Sequence, residues 1–147
     1  MSPADLLKSR TPLRLAAQGE HGPLIVPLWF YWEHERFWCA THNSAALLAA
    51  IRREPTVAFD LSTNDMPYAG VRGRGRTTLY PERGAAVLER LVDRYLGTRD
   101  HALARWLLSR AADEVAIEIA PTRQSAWDYS ERMAGLSTDR GTPRQSS

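Results

Sequence analysis

Three arginines stand two residues apart at Arg72, Arg74 and Arg76, with Gly73 and Gly75 between them. A strand alternates its side chains, so this spacing projects all three guanidinium groups from one face and leaves the glycines on the other. A guanidinium is a planar fork suited to phosphate or carboxylate, and adjacent cations repel unless an anion, a carboxylate or water lies between them. Either a ligand's anion or Asp and Glu partners can meet that demand. The run Gly70-x-x-Gly73-x-Gly75 has the wrong order, and the wrong context within a strand, for a dinucleotide-binding turn.

A second group is Thr41-His42-Asn43-Ser44, at a corner where a strand gives way to a helix. Hydroxyls and free amides at a helix start can cradle phosphate, and Asn43 or Ser44 can equally serve as an ordinary N-cap. Trp29, Trp32, Trp38, Trp106 and Trp127 form a third group. They can stack on a flat ring or fill core and interface, and Trp127 lies on a polar stretch where a ring or a partner subunit would bury it. Cys39 and His42 have metal-like spacing without a second pair, so no metal is expected. Gly-x-Ser-x-Gly is absent and His21, His34, His42 and His101 show no helical metal pairing, so any redox chemistry would come from a cofactor.

The elements that must hold these groups follow from pattern. Ser2 caps a short helix to Arg10 with Pro3 at its first position. Strands are expected at Leu13–Gln18, Pro23–Trp32, Arg36–Thr41, Thr56–Leu61, Tyr68–Tyr80 and Val115–Ile119, the last ended by Pro121. Turns fall at Gly19–Gly22 and Glu33–Glu35, so the second and third strands form a hairpin. Helices are expected from the 43–44 corner to Arg53, burying Leu47, Leu48 and Ile51; from Gly84 to Leu96, stopped by Gly97; and after Asp100, burying Leu103, Trp106 and Leu107. Six strands with short inserted helices give a mainly β fold, a six-stranded antiparallel barrel.

The chain has 147 residues, enough for one domain, placed at 1–134 with a polar tail at 135–147 expected to be disordered. Lys8 is the one lysine among 19 basic residues, which oppose 17 acidic ones; a net charge of +2 gives no reason to expect nucleic acid. Cys39 stands alone, no apolar stretch approaches a membrane span or a signal peptide, and a cytoplasmic location without membrane contact is expected.

Taken in order, Leu13–Ala16, Gly22–Phe30, Trp38–Thr41, Ile51–Ala58, Tyr68–Thr77, Arg94–Gly97 and Pro121–Trp127 resemble the pyridoxamine 5′-phosphate oxidase-like family, split-barrel proteins that use flavin or deazaflavin. The resemblance implies a homodimer with two clefts at its interface and hydride transfer to or from a small-molecule substrate, through FMN or F420, with haem in occasional members. It implies that the phosphate meets Thr41, His42, Asn43 and Ser44, helped by Arg72 or Arg74. The ring would lie along Val26, Pro27 and Trp29, with the second subunit's Trp127 closing over it. Such proteins commonly place a phosphate-binding lysine eight residues before the proline of the Arg52-Arg53-Glu54-Pro55 run, a position held here by Leu47. The alternatives are a ligand-binding module without turnover, or a haem protein using one of the four histidines.

Overall fold

A computed structural model describes residues 2–129, so the tail expected at 135–147 lies outside the described residues. Helix α1 (Pro3–Lys8) begins with a capping box, Ser2 and Asp5 each accepting from the other's backbone amide. Strands β1 (Leu13–Gly19) and β2 (Gly22–Leu28) form a hairpin with full register from Leu13↔Leu28 to Gly19↔Gly22. Strands β3 (Tyr31–Glu33) and β4 (Arg36–His42) form another, turned by His34 and Glu35, both in the left-handed region that this two-residue turn requires. Helix α2 (Ala46–Arg53), strands β5 (Thr56–Ser62) and β6 (Ala69–Tyr80), helices α3 (Gly84–Leu96) and α4 (Ala102–Ser109), and strand β7 (Glu114–Asp128) complete the chain.

All pairings are antiparallel, in the order β2-β1-β5-β6-β7-β4-β3. The edge strands β2 and β3 are separated in sequence by only Trp29 and Phe30, yet among the described residues no ladder joins them, so the sheet is not closed. The expected mainly β fold is present with seven strands instead of six. The difference lies in the Pro23–Trp32 run, which is two strands: Pro23 and Pro27 lack the amide a central strand needs, and β2 is an edge, where proline is tolerated. The hairpin partner of β4 is accordingly the short β3, not the whole run.

Inward residues fill the barrel: Leu13 and Leu15, Phe37 and Cys39, Phe59 and Leu61, Val71, Ile117 and Ile119 are all buried. Leu6 of α1 joins this core, and α2 adds Leu47, Leu48 and Ile51. Outside, α3 packs Val87 and Leu91 against Tyr31 and Ala116, and Leu88 and Val92 against Ala104 of α4. Arg94 of α3 donates to the carbonyl oxygens of Phe30, Leu7 and Ser9, tying α1 and the β2–β3 link to one side chain.

Three local expectations change. Helix α2 is capped by Ala45 with no side-chain bond, because Ser44 bonds to His42 instead. Helix α4 is capped by His101, whose Nδ1 accepts from the Leu103 amide, while Asp100 pairs with Arg105 at 2.8 Å. Its buried contact is Ala104, leaving Leu103 and Trp106 exposed. Lastly, β7 runs past Pro121 to Asp128: β4 pairs with it only as far as Ile119, so beyond that point β7 pairs only with β6 among the described residues.

Candidate functional site

Alternation divides the strands into a buried face and an outer face, and the outer face collects the arginines. One row across the sheet reads Pro27, Arg14, Asp60, Arg72, Ser125, on β2, β1, β5, β6 and β7; the next reads Ile25, Ala16, Ala58, Arg74, Arg123. These residues, apart from Pro27, line an open cleft of about 810 Å³ together with Phe59 and Gly73. Ala16, Ala58 and Gly73 keep its floor low, and Ile25 stands 68% exposed at its side.

Strand β6 enters this face because its glycines let two backbones close in. A Cβ on Gly73 would lie 2.0 Å from the Arg123 carbonyl oxygen. Beside it the ladder slips: Gly75 pairs with Pro121 but Arg74 pairs with Arg123, so Thr122 is the extra residue of a bulge, its hydroxyl donating to the Arg74 carbonyl at 3.3 Å. In an unbroken ladder Thr122 would oppose Arg74 and Arg123 would oppose Gly73, on the inward-facing side. The bulge turns Arg123 out into the cleft.

The cleft therefore holds four guanidinium groups and one carboxylate. Asp60 accepts from the Ser62 hydroxyl at 2.7 Å. Among the described residues, the arginine–carboxylate ion pairs lie elsewhere, on Arg90, Arg99 and Arg105, and none involves Arg14, Arg72, Arg74 or Arg123. Nη1 of Arg14 is buried and has no hydrogen-bond partner among the described residues. Arg76, third of the alternating set, lies beyond the cleft near Glu54, whose carboxyl is lowered chiefly by the Thr56 backbone amide and slightly by Arg76.

The 41–44 corner is different. The Ser44 hydroxyl and His42 Nδ1 are 2.7 Å apart, and the Ser44 amide donates to the same nitrogen at 3.2 Å. The Asn43 amide donates to the Asp113 carbonyl at 2.8 Å, and His42 Nε2 lies 3.9 Å from the Asp113 carboxylate. His42 pairs across the sheet with Glu114, whose carboxyl is raised above the usual range by burial, with Asp113 adding to the rise and His42 and Arg110 opposing it. Thr41 pairs with Val115 in the ladder. From Glu114 to Arg123 is nine residues of β7, about 30 Å along the strand, so one chain does not unite corner and cleft.

The remaining expected residues divide similarly. Pro27 shares the cleft face, opposite Arg14, whereas Val26 packs on the core. Trp29 stacks on Tyr95 at 4.9 Å between sheet and α3, and Leu47 is buried in the core. Trp127 lies across Gly70 of its own chain, its Nε1 buried without a hydrogen-bond partner among the described residues, with Tyr129 tilted against it at 5.3 Å. Spacing alone singles out neither Arg14 nor Arg123. Arg14 is readable as the polar residue between Leu13 and Leu15, but Arg123 depends on a bulge. Burial pushes the Cys39 thiol far up, which leaves it inert. Among the described residues no acidic, histidine or cysteine cluster could hold a metal, and no helix is long and apolar enough to cross a membrane.

This geometry has relatives. An F420 reductase of known structure is 27% identical at a TM-score of 0.70, over 85% of this chain and 97% of its own. A conserved hypothetical protein of Mycobacterium tuberculosis, Rv2991, is 25% identical at a TM-score of 0.73, over 100% of this chain and 92% of its own. HutZ, a heme storage protein of Vibrio cholerae, shares the fold at 12% identity and a TM-score of 0.65, over 85% of this chain and 90% of its own. None of the curated proteins compared matches the chain. The sequence profile described as pyridoxamine 5′-phosphate oxidase matches residues 4–127, nearly the whole curled sheet with its helices, and the chain belongs to that family.

Proposed function

We propose that the protein is an FMN- or F420-dependent oxidoreductase, acting as a homodimer on a small molecule and holding the anionic end of its cofactor on the arginine face of the sheet. The observation that carries this is the cleft's unmet charge: Arg14, Arg72, Arg74 and Arg123 beside the single carboxylate of Asp60, with a buried Arg14 nitrogen lacking any acceptor. An unpaired buried donor costs about 1–3 kcal/mol, which a phosphate oxygen would recover. Arg72 and Arg74 present their forks from one strand face; Ala16, Ala58, Ile25 and Pro27 give the low apolar surface on which a flat ring can rest. The bound cofactor supplies the ring that accepts or donates hydride. The protein's part is to fix that ring, neutralise its tail and keep water from one side, with a second copy covering the exposed Ile25. The 41–44 corner is a poorer phosphate site, since the Ser44 hydroxyl and the Ser44 and Asn43 amides are engaged and the Asp113 and Glu114 carboxyl groups stand beside His42.

Absorbance titration of the purified protein with FMN and with F420 tests this. Saturable binding of either, well below about 1 mM, is expected; binding of neither below that concentration rejects it. A second reading, a cofactor- or ligand-binding module without turnover, is favoured by one fact: Asp60 is the only acid, and there is no histidine, among the cleft-lining residues. Reduction of the bound cofactor coupled to loss of a substrate separates the two. The haem alternative finds no support in the cleft, whose lining holds no histidine, and a Soret band would reveal it.

A further inference from the structure

Helix α4 buries one side and leaves the other open. Ala104 is buried against Leu88 and Val92 of α3, with Leu107 and Leu108 packed beside it. Turned away from that contact, Leu103 is 41% exposed and Trp106 is 53% exposed. They stand three residues apart and are neighbours on the helix surface. Arg110, one turn beyond, lays its guanidinium over the indole at 4.5 Å and extends the stripe with its apolar stem. None of the ion pairs found among the described residues includes Arg110. At the other end of the stripe the Asp100 side chain is 96% exposed and meets Arg105 at 2.8 Å, an exposed pair worth under about 1 kcal/mol. These positions share a centre. Leu103 and Trp106 are centred between residues 104 and 105, and Asp100 and Arg110, roughly 15 Å apart along the axis, are centred on residue 105. A second α4 laid antiparallel about a two-fold axis at that point sets each Leu103 against the partner's Trp106 and each Asp100 opposite the partner's Arg110. A parallel arrangement would bring like charges together at both ends.

We propose that this face of α4 is a self-association surface: a second copy of the chain docks antiparallel on Leu103 and Trp106, and two crossed Asp100–Arg110 ion pairs fix its direction. The contact shares no residue with the arginine cleft and does not depend on a cofactor. It buries on the order of 500 Å², below the roughly 1,200 Å² of a stable interface, so it is weak by itself. It forms at high protein concentration, and where barrels are already paired through the sheet face it joins two pairs into four.

Sedimentation velocity of the full chain, from about 10 μM to about 1 mM, decides it. The parent's average mass should double across that range, and Trp106→Ser should weaken the association about tenfold or more. Asp100→Arg and Arg110→Asp should each lose it too, because like charges then face each other at both ends of the contact. An equimolar mixture of those two variants should regain it, since arginine at 100 and 110 in one copy then faces aspartate at both positions in the other. Should Arg110→Asp fail to fold by circular dichroism, Asp100→Arg carries the test alone: about 0.5 M salt should restore its association by screening the repulsion, and should do nothing for Trp106→Ser. A parent of constant mass overturns the proposal and leaves the face to residues 130–147 or to a different partner. So does a doubling that survives Trp106→Ser, which would place the association on another face. With both charge variants folded, a mixture no larger than its components overturns it as well; with Asp100→Arg alone, so does association equal to the parent's at low salt.

Discussion

The corner at 41–44 and the outer face of the sheet are both rich in groups that recognise anions, yet they stand in opposite conditions. At the corner, His42, Ser44 and the Asn43 amide already bond to one another or to Asp113, and Glu114 lies across the ladder. On the sheet face, Arg14, Arg72, Arg74 and Arg123 crowd together with one carboxylate for company. Residue type alone ranks the two as equals; unmet hydrogen bonding and unbalanced charge rank the sheet face first. What distinguishes a binding surface from a folded joint is thus the bonds that folding leaves unmade.

The sharpest break of this comparison is charge reversal on the sheet face. Arg72→Glu with Arg74→Glu should weaken FMN or F420 binding by more than about 100-fold, two charge-assisted contacts being replaced by repulsion, as read by titration. The same pair of reversals should leave the thermal midpoint unchanged or higher, because four crowded cations become two pairs of opposite sign. A fall of several degrees instead would mean these arginines already have partners.

Gly73→Ala tests how the face is assembled. Its added methyl would collide with the Arg123 carbonyl, so β6 and β7 must part where Arg74 and Arg123 are aligned, and urea unfolding should show a loss of about 2 kcal/mol. An unchanged midpoint would show that the two strands are not so closely joined there.

How much of this was legible in the sequence differs between the regions too. Period-two alternation places Arg72, Arg74 and Arg76 on one face, and the structure keeps them there. The burial of Leu47, Leu48 and Ile51 and the left-handed stop at Gly97 were equally plain. Two strands were not: Pro23–Trp32 reads as one apolar run, because the break at Trp29 and Phe30 comes from each half pairing with a different neighbour. Arg123 was invisible for a related reason. Its face depends on a register slip between two strands, which no property of Pro121-Thr122-Arg123 alone specifies. The corner misleads through chemistry rather than pattern, since Ser44 is a good N-cap by type but stands one residue before the cap position and bonds to His42.

Ser44→Ala asks the converse question of the corner. Losing the bond to His42 should cost about 1 kcal/mol of stability while moving cofactor affinity less than about twofold. An affinity loss of tenfold or more would restore the corner as the phosphate site.

Glu114→Gln gives the smallest effect. Burial raises this carboxyl in the folded chain, so the native state holds the proton more tightly than the unfolded one. Its contribution is therefore present below the unfolded pKa of about 4.3 and declines as pH rises through the raised folded value. Removing the carboxylate should raise stability by less than about 1 kcal/mol at pH 7 and by nearly nothing at pH 4, as measured by paired thermal melts. A variant less stable than the parent at pH 7 would mean that the carboxylate is held by a partner.

The central claim, that the sheet face and not the corner neutralises the anionic tail, is tested most directly by one paired titration with FMN and F420 of the parent, Arg74→Gln and His42→Gln. Arg74→Gln should weaken binding about tenfold or more while His42→Gln stays within about twofold of the parent. The opposite order, with His42→Gln crippled and Arg74→Gln intact, would contradict it.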